Sequence, residues 1–230
     1  ESGKSIKNSI AEIREAVDFC RYYSKEALNL FQTQTLKGPT GELNQYRMVG
    51  KGLSFVISPW NFPVAIFIGQ TVAALITGNV VITKPAEQSS FAAYYIIKLL
   101  LKAGLPSNAI ALLLGDGALI GKKVIDDKKL KNVIFTGSLE TAKIIQSNLQ
   151  QKENIPTFIA ETGGQNCMIV DTSALTEHVV KDVVNSGFDS AGQRCSACRI
   201  LCVEENVYDH TKHTLIGAMK TQQVGNPEEL

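Results

Sequence analysis

The stretch FDSAGQRCSACR, residues 188–199, separates Cys195 from Cys198 by two residues, and Cys202 follows soon after. Cysteines at such spacings hold metals, exchange disulfides, or attack a carbon as a single thiolate. As metal ligands, Cys195, Cys198, His210 and His213 read C-x2-C-x11-H-x2-H. A two-Cys two-His finger takes about twelve residues between the pairs and three to five between the histidines. The intervening RILCVEENVYD is strand-like, and the chain is large enough to fold without a metal, so no metal site is expected. A redox CxxC opens a helix after the first strand of its unit; this pair precedes a strand late in the chain. The third reading makes Cys195 a nucleophile and Cys198 a neighbour.

A thiolate that attacks a carbonyl needs three supports. Its proton must leave, the developing oxyanion needs donors, and the intermediate must be resolved. Arg194 and nearby backbone N–H groups suit the first need. Gly192 permits a tight turn just before the cysteine. The other supports are sought at strand ends, since α/β sites gather at the carboxyl edge of the sheet. SPWNFP puts Asn61 at one strand end, between two prolines that stiffen the loop. AETGG puts Glu161 at another, followed by Gly163 and Gly164. TKPAEQ offers Lys84 and Glu87. FTGS places Gly137 and Ser138 at a helix mouth, where N–H groups meet phosphate. Each has a plainer alternative: a turn-forming Asn, a capping or surface Glu. Their joint placement after strands is the argument for a site.

The elements that must position these residues alternate along the chain. Residues 7–30 space Ile10, Ile13, Val17, Cys20, Ala27 and Leu28 as one apolar helix face, with Glu12, Arg14, Glu15 and Lys25 between them. LKGPTGELNQ breaks that helix. Strands then read as GLSFVISP, NVVITKP, AIALLLGD and NVIFTG. Helices follow them at Pro63–Thr77, Ser89–Ala103, Ala118–Asp127 and Leu139–Gln151. TFIAET and CMIVD are further strands, followed by a helix over residues 175–191. RILCVEE is a last strand and residues 209–222 a last helix. Short Val/Ile-rich strands that alternate with helices predict an α/β, doubly wound, mostly parallel sheet.

A hydrophobic content of 44% with 20% charged residues supports a sizeable core. The net charge of +1 gives no electrostatic footprint for nucleic acid, and none is expected as a partner. Five cysteines in a chain this long fit a reduced, cytoplasmic setting. The apolar run around Val64–Ile76 is interrupted by Gln70 and Thr71 and is too short for a membrane span. The polar start ESGKSIKNSI is no signal peptide, and both ends read as cut from something longer. GKS at residues 3–5 lacks the rest of a phosphate loop. LLLGDGALIG spaces Gly115, Gly117 and Gly121 as G-x-G-x-x-x-G, a weak dinucleotide fingerprint whose plain reading is a tight turn before a helix.

Taken together, PWNFP, KPAEQS, FTGS, AETGGQN and GQRCSA resemble the motifs of the NAD(P)-dependent aldehyde dehydrogenases, in that family's order and spacing. AVDFCRYY, GPTGELNQY, ISPWNFPVAIFIGQ and SAGQRCSACR further resemble the Δ1-pyrroline-5-carboxylate (glutamate semialdehyde) dehydrogenase domain of the bifunctional proline utilisation A flavoproteins. The resemblance implies a Rossmann-type NAD-binding domain over residues 46–162, preceded by an N-terminal helical segment over 1–45. The start of a second, catalytic α/β domain would occupy 163–230. It implies Cys195 as nucleophile, Asn61 with the Cys195 N–H as oxyanion donors, and Glu161 as the base that activates water. Lys84 and Glu87 would meet the adenosine ribose, Ser138 the pyrophosphate, and Gly117 the region of the adenine. Trp60 and Gly137 complete the implied cofactor set. The implied reaction takes L-glutamate γ-semialdehyde to L-glutamate with NAD; another aldehyde is the alternative substrate. The implied parent is a homo-oligomer, with FAD confined to an upstream proline dehydrogenase domain. Position 198 is more often Leu in the family. Its downstream Glu-x-Phe-Gly-Pro segment and substrate-anchoring loop do not occur in these residues, so the chain by itself is expected to show negligible turnover.

Overall fold

Runs of β-branched and aromatic residues form most of the strands, and a helix follows six of the nine in the described residues. The computed structural model describes residues 1–229. Two compact units divide the chain: Glu1–Ser2 with Glu12–Glu161, and Gly3–Ala11 with the residues from Thr162 onward.

The first unit holds most of helix α1 (Ile6–Leu30) and a small antiparallel hairpin, β1 (Gln34–Leu36) with β2 (Asn44–Tyr46). After it come β3 (Leu53–Ser58), α2 (Ala65–Ile76), β4 (Val80–Pro85), α3 (Ser90–Lys102) and β5 (Ile110–Leu112). Then follow α4 (Gly117–Asp126), β6 (Leu130–Gly137), α5 (Leu139–Gln150) and β7 (Thr157–Thr162). The sheet order is β5-β4-β3-β6-β7, and the β5–β4, β4–β3 and β3–β6 pairs are parallel.

Successive strand residues point to opposite faces, and both faces are covered. On one face Phe55, Val133 and Phe135 pack with Val124 and Ile125 of α4 and Ala142, Ile145 and Leu149 of α5. On the other, Val56 and Val81 meet Ala74 of α2, and Phe67 of α2 packs on Ala93, Ile96 and Ile97 of α3. Phe55, Val56 and Val133 are wholly enclosed. The doubly wound, mostly parallel sheet expected from the sequence is therefore present.

The second unit is a smaller βαβ arrangement. β8 (Asn166–Val170) and β9 (Cys198–Val203) pair in parallel, with α6 (Thr176–Phe188) in the crossover and α7 (Glu205–Lys220) after β9. Val170, Val180, Val183 and Ala197 are buried. The other face of the strand pair carries Cys167, Ile169, Ile200 and Cys202, all exposed.

Four expectations are corrected. Most of the apolar face assigned to α1 is turned outward: Ile10, Ile13, Val17 and Leu28 are exposed, Cys20 is half-buried, and Ala27 alone of that set is buried, together with Glu12 and Ala16. Phe19 of α1 instead lays its ring over Gly69 of α2. A Cβ on Gly69 would stand 3.0 Å from the Phe19 ring. The Gly/Pro-rich break after α1 contains the β1–β2 hairpin. The helix drawn to residue 191 stops at Phe188, where the backbone turns left-handed at Ser190 and Ala191 (φ 54° and 55°). The last helix begins at Glu205, ahead of the expected Asp209.

Candidate active site

The winding of the first sheet fixes where a ligand fits. β3, β4 and β5 step outward in one direction, and the chain then returns to lay β6 on the other edge of β3. The carboxyl ends of β3 and β6 flank that reversal, the usual ligand crevice of such sheets. A cleft of roughly 840 Å³ opens there, lined among others by Ser58, Trp60, Lys84, Glu87, Gly117 and Ser138.

Lys84, near the end of β4, is buried, and its Nζ donates to Glu87 Oε1 at 2.7 Å. Glu87 opens a short 3-10 turn, Glu87–Ser89. Burial pushes its carboxyl up, but this is outweighed by the Lys84 hydrogen bond, its own amide, the Lys84 charge and the Gly117 amide, so the net shift is downward. Gly117, first residue of α4, closes the group. A Cβ there would stand 3.3 Å from Lys84 Nζ and 3.4 Å from Glu87 Oε1. The glycine that looked like part of a weak fingerprint thus lets the ion pair sit close against the helix start. Asp116 caps α4 by accepting from the Leu119 amide at 2.7 Å.

Ser138 is the N-cap of α5. Its hydroxyl accepts from the Thr141 amide at 3.1 Å. Gly137 is fixed by packing, since a Cβ there would come within 2.6 Å of the Phe135 ring. Trp60, 44% exposed, stands at the cleft wall. All six residues expected at a cofactor therefore line one cleft. A buried cation, an ionised carboxylate, two helix starts and a space where a side chain would intrude fit a dinucleotide.

Asn61 is half-buried in the Pro59–Pro63 loop that leads into α2. That loop has an anchor the sequence concealed. Buried Glu12 accepts from the Val64 and Ala65 amides at 2.7 and 3.1 Å and so satisfies the start of α2. Glu161 is exposed on β7.

In the second unit Cys195 is exposed, on a loop braced at several points. Ser190, Ala191 and Gly192 are all left-handed, a conformation that costs roughly 1–2 kcal/mol for each non-glycine residue. Arg194 donates to Asp189 Oδ2 and Ser190 Oγ at 3.4 and 3.3 Å, and Asn8 donates to Asp189 Oδ1 at 3.0 Å. Arg199 donates to the Gly192 carbonyl at 2.7 Å. Gly192 has no room for a side chain, since a Cβ would approach the Gly187 carbonyl to 2.8 Å. Arg194, expected to activate the thiol, is thus engaged in holding the turn. Asn166 donates to the carbonyls of Cys195 and Ala197 at 2.6 and 3.1 Å. Gly163 passes close by: a Cβ there would stand 3.9 Å from Cys195 Cα.

Cys198 is a half-buried neighbour whose thiol donates to the Ile200 carbonyl at 3.4 Å. All five cysteines are unpaired. Among the described residues no three or more His, Cys, Asp or Glu side chains gather as a metal site would require. No described helix is long and apolar enough to cross a membrane.

The aldehyde dehydrogenase family model matches residues 1–230. The chain belongs to the aldehyde dehydrogenase family. Over its whole length it is 48% identical to the bifunctional protein PutA of Klebsiella aerogenes, of which it covers 17%. It is 37% identical to the 1-pyrroline-5-carboxylate dehydrogenase of Anoxybacillus flavithermus, again over its whole length, and covers 45% of that protein. A solved structure of proline utilization A with proline bound in remote sites superposes with a TM-score of 0.96 at 46% identity, over 98% of this chain and 23% of that one. The chain thus spans less than half the length of these relatives.

In this aldehyde dehydrogenase chain, Asn166 was in plain view inside AETGGQN, yet its bond to a carbonyl 29 residues away gave no local signal. Asp189 and Arg199 likewise flank the cysteine motif without announcing their partners. Glu12 and Asn8 carried no signal at all, because both sit on the polar side of a helix read as amphipathic.

Proposed function

We propose that the chain carries the nucleotide-binding half and the nucleophile of an NAD-dependent enzyme that oxidises L-glutamate γ-semialdehyde to L-glutamate, the second step of proline catabolism. In this reading residues 1–45 form an N-terminal helical segment, residues 46–162 the NAD-binding domain, and residues 163–230 the opening of the catalytic domain. The protein would act in the cytoplasm as a homo-oligomer, with any FAD bound by a domain outside these residues.

The reaction begins with loss of the Cys195 proton. The thiolate adds to the aldehyde carbon, and the carbonyl oxygen becomes an oxyanion held by the Asn61 amide and the Cys195 N–H. The product is a thiohemiacetal on Cys195. Bound NAD supplies the acceptor for the hydride that leaves this carbon. A thioester remains on the sulfur. Glu161 takes a proton from water as that water attacks the thioester, releasing the carboxylic acid and freeing Cys195. Lys84 and Glu87 hold the adenosine ribose, the start of α5 at Gly137 and Ser138 meets the pyrophosphate, Gly117 keeps the cleft open, and Trp60 walls it. An ionised Glu87 accepts from a ribose diol and repels a 2′-phosphate, which favours NAD over NADP.

The observation that most supports the reading is an exposed Cys195, braced on both sides, in a chain that keeps 48% identity with PutA along its whole length. The test is the full-length protein with a panel of aldehydes, followed by NADH formation. Preference for glutamate semialdehyde is expected. Preference for simple aliphatic aldehydes would overturn the substrate, and no NAD-dependent oxidation of any aldehyde would overturn the reaction.

A further inference from the structure

The carbonyls of Cys195 and Ala197 lie just before β9, where the strand ladder has not yet begun. Asn166 is the first residue of β8 and pairs with Cys198, the first of β9; the next pair is Cys167 with Ile200. Arg199 is therefore an extra residue, a bulge of the kind that re-aims a strand beside a site. Upstream of that bulge, a side chain takes over from the backbone. The Asn166 amide has two hydrogens, and they bridge the carbonyls on either side of Ser196, at 2.6 and 3.1 Å.

We infer that Asn166 is a positioning residue that sets the reactivity of Cys195. The inference rests on Cys195 being the nucleophile and deepens that reading. A peptide unit is planar, so holding the Cys195 carbonyl toward β8 turns the Ser196 N–H to the opposite side. It also fixes the Cα from which the sulfur projects. With the carbonyl held, the backbone at Cys195 has fewer orientations open to it, which narrows where the thiol is presented. Preorganisation of this kind acts on rate, because the attacking atom and the oxyanion donor are not rearranged during the step. The left-handed turn at Ser190–Gly192 holds the loop on its other side, so Asn166 is the side chain that fixes the carbonyl of the cysteine itself.

The test measures alkylation by iodoacetamide in the full-length protein across a range of pH. Mass spectrometry reads Cys195 and uses Cys202, exposed on β9 beyond the bulge, as an internal reference. In the parent, Cys195 is expected to react faster than Cys202. In Asn166→Ala, the Cys195 rate relative to Cys202 falls about tenfold, the factor expected for losing one or two hydrogen bonds. In Asn166→Asp, which keeps the shape but replaces the donor by a charge, the rate falls as well. Its pH profile also moves upward, because a nearby carboxylate opposes the thiolate. The ratio of Cys195 to Cys202 rates is the readout that a general loosening of the fold would not move, because both cysteines would then change together. If Asn166→Ala does not fold, Asn166→Asp carries the test alone. Parent-like relative rates and an unmoved profile in a folded variant would overturn the inference. A parent in which Cys195 reacts no faster than Cys202 would instead overturn Cys195 as the nucleophile.

Discussion

Lys84, Glu87 and Gly117 are set by the ends of two adjacent strands in a sheet covered on both faces. Cys195 rides on an irregular loop beside a two-strand sheet whose outer face is open. The first region owes its geometry to packing. Phe55, Val133 and Phe135 lock the strands, and the cleft then falls where the winding reverses. The second owes its geometry to side-chain bonds: Asn166 and Arg199 grip backbone carbonyls, and Arg194 ties Asp189 to Ser190. Packing gives the cleft a fixed lining, while tethering leaves Cys195 exposed on a braced loop.

The largest expected effect lies in the tethered region. Cys195→Ala should lower aldehyde turnover by about a thousandfold or more while leaving NAD affinity unchanged, as read by isothermal titration. Loss of both together would mean that the two regions are not separable in this way. The packed region should show the larger stability effect. Phe55→Ala is expected to cost about 3–5 kcal/mol in denaturant unfolding. Ile169→Ala, at a residue 79% exposed on β8, should stay within about 0.5 kcal/mol.

A smaller effect isolates the cleft. Gly117→Ala crowds the Lys84–Glu87 pair and should weaken NAD binding by about three- to tenfold, the scale of one disturbed hydrogen bond, with Cys195 alkylation unchanged. The smallest is a pH effect. The folded Glu87 carboxyl titrates below its ordinary 4.5, so the fold favours its charged form. The stabilisation it contributes is complete above 4.5 and fades as pH falls through the lower folded value. Glu87→Gln should remove that part of the acid dependence in a melting series, and the side chain is half exposed, so the change is small.

The same contrast explains what could be read from the residues. β3, β4 and β6 were legible because Val/Ile-rich runs between turn signals leave few alternatives, and strand ends then located Lys84, Glu87 and Ser138. The α1 face was misread because the period is right but the neighbour is not. Gly69 takes the Phe19 ring and the start of α2 takes the Glu12 carboxylate, and no pattern within α1 carries that information. The Asn166 and Arg199 contacts were illegible for the same reason, being single bonds between segments far apart in sequence. The left-handed turn at Ser190 and Ala191 ended a helical pattern that runs from Thr176 to Phe188, because only tertiary contacts can hold two non-glycine residues there.

The central claim is tested most directly by Glu161→Ala in the full-length protein, mixed with NAD and glutamate semialdehyde and quenched in acid. The expected result is a burst of NADH and a glutamyl thioester mass on the Cys195 peptide, with steady turnover lost. Parent-like turnover, or an adduct on any other residue, would contradict it.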